Sequence, residues 1–162
     1  VQIGGLQVGA VVAVNALGDI YDWRSGRKIA GLLAEDKCSF RDTVEMMCAS
    51  TEVVENKFTG NTTIGVVITN GDFGKASLCK IAGMAQDGYA RAIRPVHTSA
   101  DGDSIYAVSA GNVSEKVKAD QDLVGTLAAE VMSEAIIRAV TSAESAYGFP
   151  AYRELKVKEN KR

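Results

Sequence analysis

The chain has 162 residues, of which 46% are hydrophobic and 23% charged, the composition of one globular domain able to bury a core. A formal net charge of −2 gives neither the basic footprint of a nucleic-acid binder nor an attraction to an anionic membrane surface. No apolar run approaches the roughly 20 residues of a membrane-spanning helix.

In chain order, "QVGAVVAVNA" (7–16) is apolar, β-branched and continuous, which predicts a strand buried on both faces. Turn signals at Gly18-Asp19 and Ser25-Gly26 follow, around short apolar pieces. Over 35–60 the composition turns polar, with no clean strand period, and only 40–48 reads as helical. This stretch is expected to be a weakly packed connector. "TTIGVVIT" (62–69) predicts a second buried strand, and apolar residues at helical spacing from Leu78 to Ile93 predict a helix over 76–93. Pro95 ends it, because a residue before proline avoids the α region. "DSIYAVSAG" (103–111) is a third strand, and 120–144 is a long helix with Asp120 as its N-cap. The tail "RELKVKENKR" is expected to be solvated and frayed.

Strand, connector, strand, helix, strand and helix make an α/β layered domain. A sheet covered on both faces needs two layers, and two amphipathic helices supply little more than one. A missing part, upstream of Val1, is therefore expected.

Cys38, Cys48 and Cys79 have no metal-ligand spacing and cannot all pair with one another, which points to packing roles in a reducing, cytoplasmic compartment. Met46, Met47 and Met84 read as gap-fillers. No glycine-rich phosphate cradle and no metal cluster is present in the sequence, so no cofactor and no metal is expected.

A strand–helix–strand crossover makes 62–69 and 103–111 parallel, so their starts share one sheet edge. Thr62 and the pair Asp101 and Asp103 then meet there, the two carboxylates on one side of an extended segment. The plain alternatives are a strand-entry threonine and an Asp-Gly-Asp turn. The Asn61–Thr62 junction adds a chemical possibility. A Thr hydroxyl can attack the preceding carbonyl, shift the acyl group from N to O, and let water cleave the ester. The freed α-amine, with an unperturbed pKa of roughly 7.7 to 8.0, would then serve as base for its own hydroxyl. His97, the sole histidine, is not needed in such a site and reads as structural.

Four blocks, "VGAVVAVNALGDIYD", "GNTTIGVVITN", "MAQDGYARAIRPVHTSADGDSIYAVSAG" and "AESAYGFPAYREL", together resemble the L-aminopeptidase/D-esterase family of self-processing hydrolases. The junction and the acidic pair are similar to its nylon-oligomer hydrolase branch. The resemblance implies an αββα sandwich, and a precursor cut between Asn61 and Thr62 into an α subunit, ending with 1–61, and a β subunit, 62–162. It implies Thr62 as nucleophile, Asn15 as oxyanion-hole residue and Asp101 and Asp103 as the acidic pair. It also implies a homo-oligomer of αβ units acting on a small peptide or a linear amino-amide, with catalytic residues in an upstream α-subunit segment that has no counterpart here. The expected function is amide hydrolysis through an acyl-enzyme. The alternatives are an acyltransferase of the ornithine acetyltransferase type, or a truncated, non-catalytic assembly module.

Overall fold

The computed structural model describes residues 1–49, 51 and 60–159. The 52–59 part of the expected connector lies outside them. The architecture is mixed α/β, with one long sheet, one short sheet and two long helices.

The long sheet has the order β1 (Gln2–Ile3), β2 (Leu6–Asn15), β5 (Thr62–Thr69) and β7 (Ser104–Ser109). β2 and β5 pair antiparallel without a register shift, from Val8 opposite Thr69 to Asn15 opposite Thr62. β5 and β7 are parallel, from Ile64 beside Ser104 to Thr69 beside Ser109. This is the pairing expected of the crossover, which α2 (Lys75–Ala92) provides. The helix stops at Ala92, three residues before Pro95, and Ile93–Arg94 leaves it as strand β6. α3 (Gln121–Ser142) starts where the sequence places it, with the Asp120 carboxylate accepting from the Asp122 and Leu123 amides.

Both long helices cover the same face of the sheet. Val67 of β5, Ile81, Ala85 and Tyr89 of α2, and Val124, Ala128, Met132 and Ile136 of α3 are fully buried between them. The helices approach closely at Gly88, where an added Cβ would stand 2.5 Å from the Ala129 carbonyl oxygen.

The expectation of strands buried on both faces is corrected here. Along β5, Thr63, Gly65, Val67 and Thr69 are buried, whereas Ile64 and Ile68 are exposed. Val11 of β2 and Tyr106 and Val108 of β7 lie exposed on the same open face. The apolar continuity of these strands thus reflects a covered face and a bare apolar one.

A short sheet that the sequence reading did not anticipate, with the order β4-β3-β6, joins β3 (Asp19–Tyr21), β4 (Lys28–Ala30) and β6. Its anchor is Asp19, which is fully buried. One carboxylate oxygen accepts from the Leu32 amide (3.1 Å) and the Thr43 hydroxyl (2.8 Å), the other from the Thr43 amide (2.9 Å) and the Lys28 ammonium (2.6 Å). Four donors, one of them the Lys28 ammonium, satisfy a carboxyl group that burial would otherwise leave unpaired. The expected helix near 40–48 is α1 (Thr43–Cys48), capped by Asp42.

Three smaller expectations are also corrected. The tail is helical over 153–159 as part of α4 (Tyr152–Glu159), with Leu155 buried and Arg153 and Glu154 exposed, and 160–162 lie outside the described residues. Met46 and Met47 are exposed, and only Met84 fills a gap, its sulfur lying over Gly125. Cys48 and Cys79 are exposed thiols and not packing residues. Among the described residues, no helix is long and apolar enough to cross a membrane.

Candidate active site

The last pair of the β2–β5 ladder is Asn15 and Thr62. Side chains alternate along a strand, so both belong to the open face of the sheet, with Ile64. The Thr62 hydroxyl donates to the Asn61 carbonyl oxygen at 2.6 Å. It therefore rests on the carbonyl of the bond that the sequence marks as a cleavage junction. The Asn15 amide donates to the Gly60 carbonyl, one peptide earlier. Asn15 thus reaches the junction segment, although its partner is the carbonyl next to the one that Thr62 touches.

On the parallel side, Asn61 and Asp101 form a bridge that extends the β5–β7 ladder past the strands. Through it the Gly102 amide donates to the Asn61 carbonyl oxygen at 2.9 Å. Gly102 sits against Thr62 so closely that an added Cβ would stand 2.7 Å from its hydroxyl oxygen.

Asp101 and Asp103 flank Gly102 and so point to the other face, toward the helices. One Asp101 oxygen accepts from the Thr98 amide (2.8 Å) and the Thr98 hydroxyl (2.7 Å), which closes the turn before β7. The Asp103 side chain is 5% exposed. Its Oδ1 accepts from the Thr63 amide at 2.9 Å and so fixes the backbone directly after Thr62. Its Oδ2 lies 3.0 Å from Nδ1 of His97, but the contact lacks hydrogen-bond geometry and leaves that oxygen unsatisfied. The structure therefore brings Asn61, Thr62, Asn15 and the acidic pair to one edge, with the carboxylates and the hydroxyl on opposite faces.

Three further residues lie beside the site: His97, which the sequence reading took as structural, and Tyr89 and Gly102, which it did not single out. His97 lies against Asp103, with its ring 5.9 Å from the Tyr89 ring by centroids. Tyr89 lies beneath the strand starts, and its hydroxyl is within reach of the Thr63 (3.2 Å) and Ser104 (3.3 Å) carbonyls. Burial, with a smaller contribution from the Asp103 charge, pushes the Tyr89 phenol well above its ordinary value, so it stays a neutral donor. Gly102 acts through its backbone, for which the sequence gives no signal beyond the glycine itself.

With this geometry in place, comparison with known proteins identifies the class. Peptidase family S58 matches residues 1–153, and the chain belongs to that family. Among its relatives, an uncharacterized aminopeptidase of Mycobacterium leprae is 35% identical, over 91% of this chain and 44% of its own length. A 6-aminohexanoate-oligomer endohydrolase of an Agromyces species is 28% identical, over 85% of this chain and 42% of its own length. The chain therefore spans less than half the length of these relatives. A crystal structure of a Pyrococcus horikoshii protein covers 95% of this chain at 15% identity, with a TM-score of 0.45.

Proposed function

We propose that the full-length protein is an amide hydrolase that cuts itself between Asn61 and Thr62 and then uses the new N-terminal threonine as nucleophile. The observation that carries this reading is the Thr62 hydroxyl resting 2.6 Å from the Asn61 carbonyl oxygen in a chain of a peptidase family. In turnover, the Thr62 α-amine takes the proton of its own hydroxyl, and the oxygen attacks the substrate carbonyl. The Asn15 amide, released from Gly60 when the junction opens, stabilises the oxyanion. Water then frees the acyl group. Asp103 holds the Thr63 amide, and its charge favours the ammonium form of the neighbouring amine.

Substrates of this reading are small peptides with a free N-terminus or linear ω-amino-acid amides. Their support is the similarity to proteins called an aminopeptidase and an oligomer endohydrolase. Peptidase family membership favours water over an amine as acyl acceptor.

The same reading completes the fold as an αββα sandwich. Val11, Ile64, Ile68, Tyr106 and Val108 form a bare apolar face beside Asn15 and Thr62. In the proposal, a second sheet from the upstream segment covers it and closes the substrate site. The αβ units then assemble as a homo-oligomer.

Mass and N-terminal sequencing of the purified full-length protein test the mechanism. The expected small fragment begins Thr-Thr-Ile-Gly, Thr62→Ala abolishes both cutting and hydrolysis, and Thr62→Ser retains cutting. An uncut chain that hydrolyses peptides or amino-amides at a normal rate removes the N-terminal nucleophile from the reading.

A further inference from the structure

An isolated bridge lies three residue pairs before Ile64 and Ser104, the first pair of the β5–β7 ladder, and it falls on the junction. Asn61 bridges to Asp101 in the same parallel sense as the strands, and the Gly102 amide donates to the Asn61 carbonyl oxygen at 2.9 Å. That oxygen is also the one the Thr62 hydroxyl touches. It is where negative charge gathers when the Thr62 oxygen adds to the Asn61 carbonyl carbon. Effective oxyanion donors stand about 2.7 to 3.1 Å from the developing charge and are fixed in advance. A sheet ladder bond meets both conditions.

We propose that the Gly102 N–H is the oxyanion donor for self-cleavage at Asn61–Thr62, a role separate from that of Asn15. This rests on the self-cleavage reading given above. Asn15 donates to the Gly60 carbonyl in the uncut chain, so its amide is engaged one peptide away while the junction is intact. Gly102 is the donor already on the scissile carbonyl. Glycine is required there for a second reason. An added Cβ would stand 2.7 Å from the Thr62 hydroxyl oxygen, closer than real Cβ contacts allow, and would push the nucleophile off the carbonyl.

The step balances without any outside oxidant or metal. The bond from Thr62 Oγ1 to the Asn61 carbonyl carbon forms, and the Asn61–Thr62 C–N bond breaks. The hydroxyl proton ends on the Thr62 nitrogen. Water then adds to the ester, leaving an Asn61 carboxylate and a Thr62 with free amine and free hydroxyl. Gly102 donates its hydrogen bond to the tetrahedral oxyanion of the first of these steps.

The test removes only this donor. In the full-length protein, glycolic acid incorporated at position 102 by nonsense suppression replaces the amide N–H by an ester oxygen. Self-cleavage, followed by mass, should slow by roughly 10² to 10³-fold, as loss of one oxyanion donor does elsewhere. Hydroxylamine, which intercepts a preformed ester, should not restore the rate, because the ester forms slowly. Gly102→Ala should slow cutting as well, through displacement of the hydroxyl, with a melting temperature close to wild type.

Cutting of the ester variant at the wild-type rate overturns the proposal, as does full rescue by hydroxylamine. A wild-type chain that never cuts removes the self-cleavage reading itself. A wild type that cuts beside an equally fast ester variant overturns the Gly102 role alone.

Discussion

Thr62 and Asn15 are cross-strand neighbours on one face, while Asp103 approaches from the other, so their substitutions should have different signatures. Asn15→Ala leaves an exposed strand end and is expected to fold normally. Its kcat should fall by roughly 10² to 10³-fold, the usual effect of deleting one oxyanion donor. Steady-state kinetics with a peptide amide checks this, and a near wild-type kcat would make Asn15 only the clasp on Gly60. Asp103→Asn preserves shape but deletes a negative charge behind the proposed Thr62 amine. A nearby negative charge raises an amine's pKa, so its loss lowers that pKa and moves the acid limb of kcat/KM to lower pH. An unmoved limb with raised KM for substrates bearing a free amine would instead assign the carboxylate to substrate binding. At this scale the residue types were legible in the sequence, because Asn-Thr and Asp-Gly-Asp are local patterns. The partners were not, since Asp103 with Thr63 and His97, and Asn15 with Gly60, are set by register.

Among the elements, the short sheet and α1 depend on a charged cluster and the long helices on apolar packing. Lys28 bonds to both Asp19 and Asp42. Burial pulls its ammonium down, but the two carboxylates outweigh this and hold its pKa above the ordinary lysine value. Asp19→Ala takes the nearer of its two carboxylates from Lys28, leaves the Thr43 and Leu32 donors without their acceptor, and should cost about 3 to 5 kcal/mol in urea unfolding. Asp42 is held below the ordinary carboxylate value, first by the Glu45 amide and then by Lys28. A carboxylate with a depressed folded pKa contributes stability that is present above its unfolded pKa and lost as pH falls through its folded one. The wild type should therefore lose more stability than Asp42→Asn below about pH 4, as read by melting temperature against pH. In the helix pair, Gly88→Ala gains about 1 kcal/mol of helix propensity but drives a methyl into the Ala129 carbonyl. Overpacking of about 1 to 3 kcal/mol should win, giving a lower urea midpoint. The start of α3 was legible because its cap is local, with Asp120 standing where the structure uses it, whereas the Asp42 cap of α1 was not read. The β4-β3-β6 sheet was not, because strands of two or three residues have no period to read.

For the molecule as a whole, the bare sheet face has the largest consequence. Tyr106 is 65% exposed here, and a lysine at such a surface position ordinarily changes stability by no more than about 0.5 kcal/mol. If a second sheet covers this face in the full-length protein, Tyr106→Lys buries an unpaired ammonium and should cost about 3 kcal/mol or more. A denaturant titration of the full-length protein separates the two, and an unchanged midpoint would mean that the face stays open.

The sequence by itself determined the α/β order, the two long helices with the Asp120 cap, and the parallel crossover that brings Thr62 to the Asp101–Asp103 edge. These follow from hydrophobic period, proline chemistry and the handedness of connections, all of which act over short stretches of chain. Only the tertiary structure decided which strand face the helices cover, because a continuous apolar run marks two apolar faces without saying which of them this chain packs. It also decided that the hydroxyl and the carboxylates point to opposite sides, and that a backbone amide, Gly102, lies on the Asn61 carbonyl. Side-chain direction depends on ladder register, and a ladder bond has no side chain to announce it.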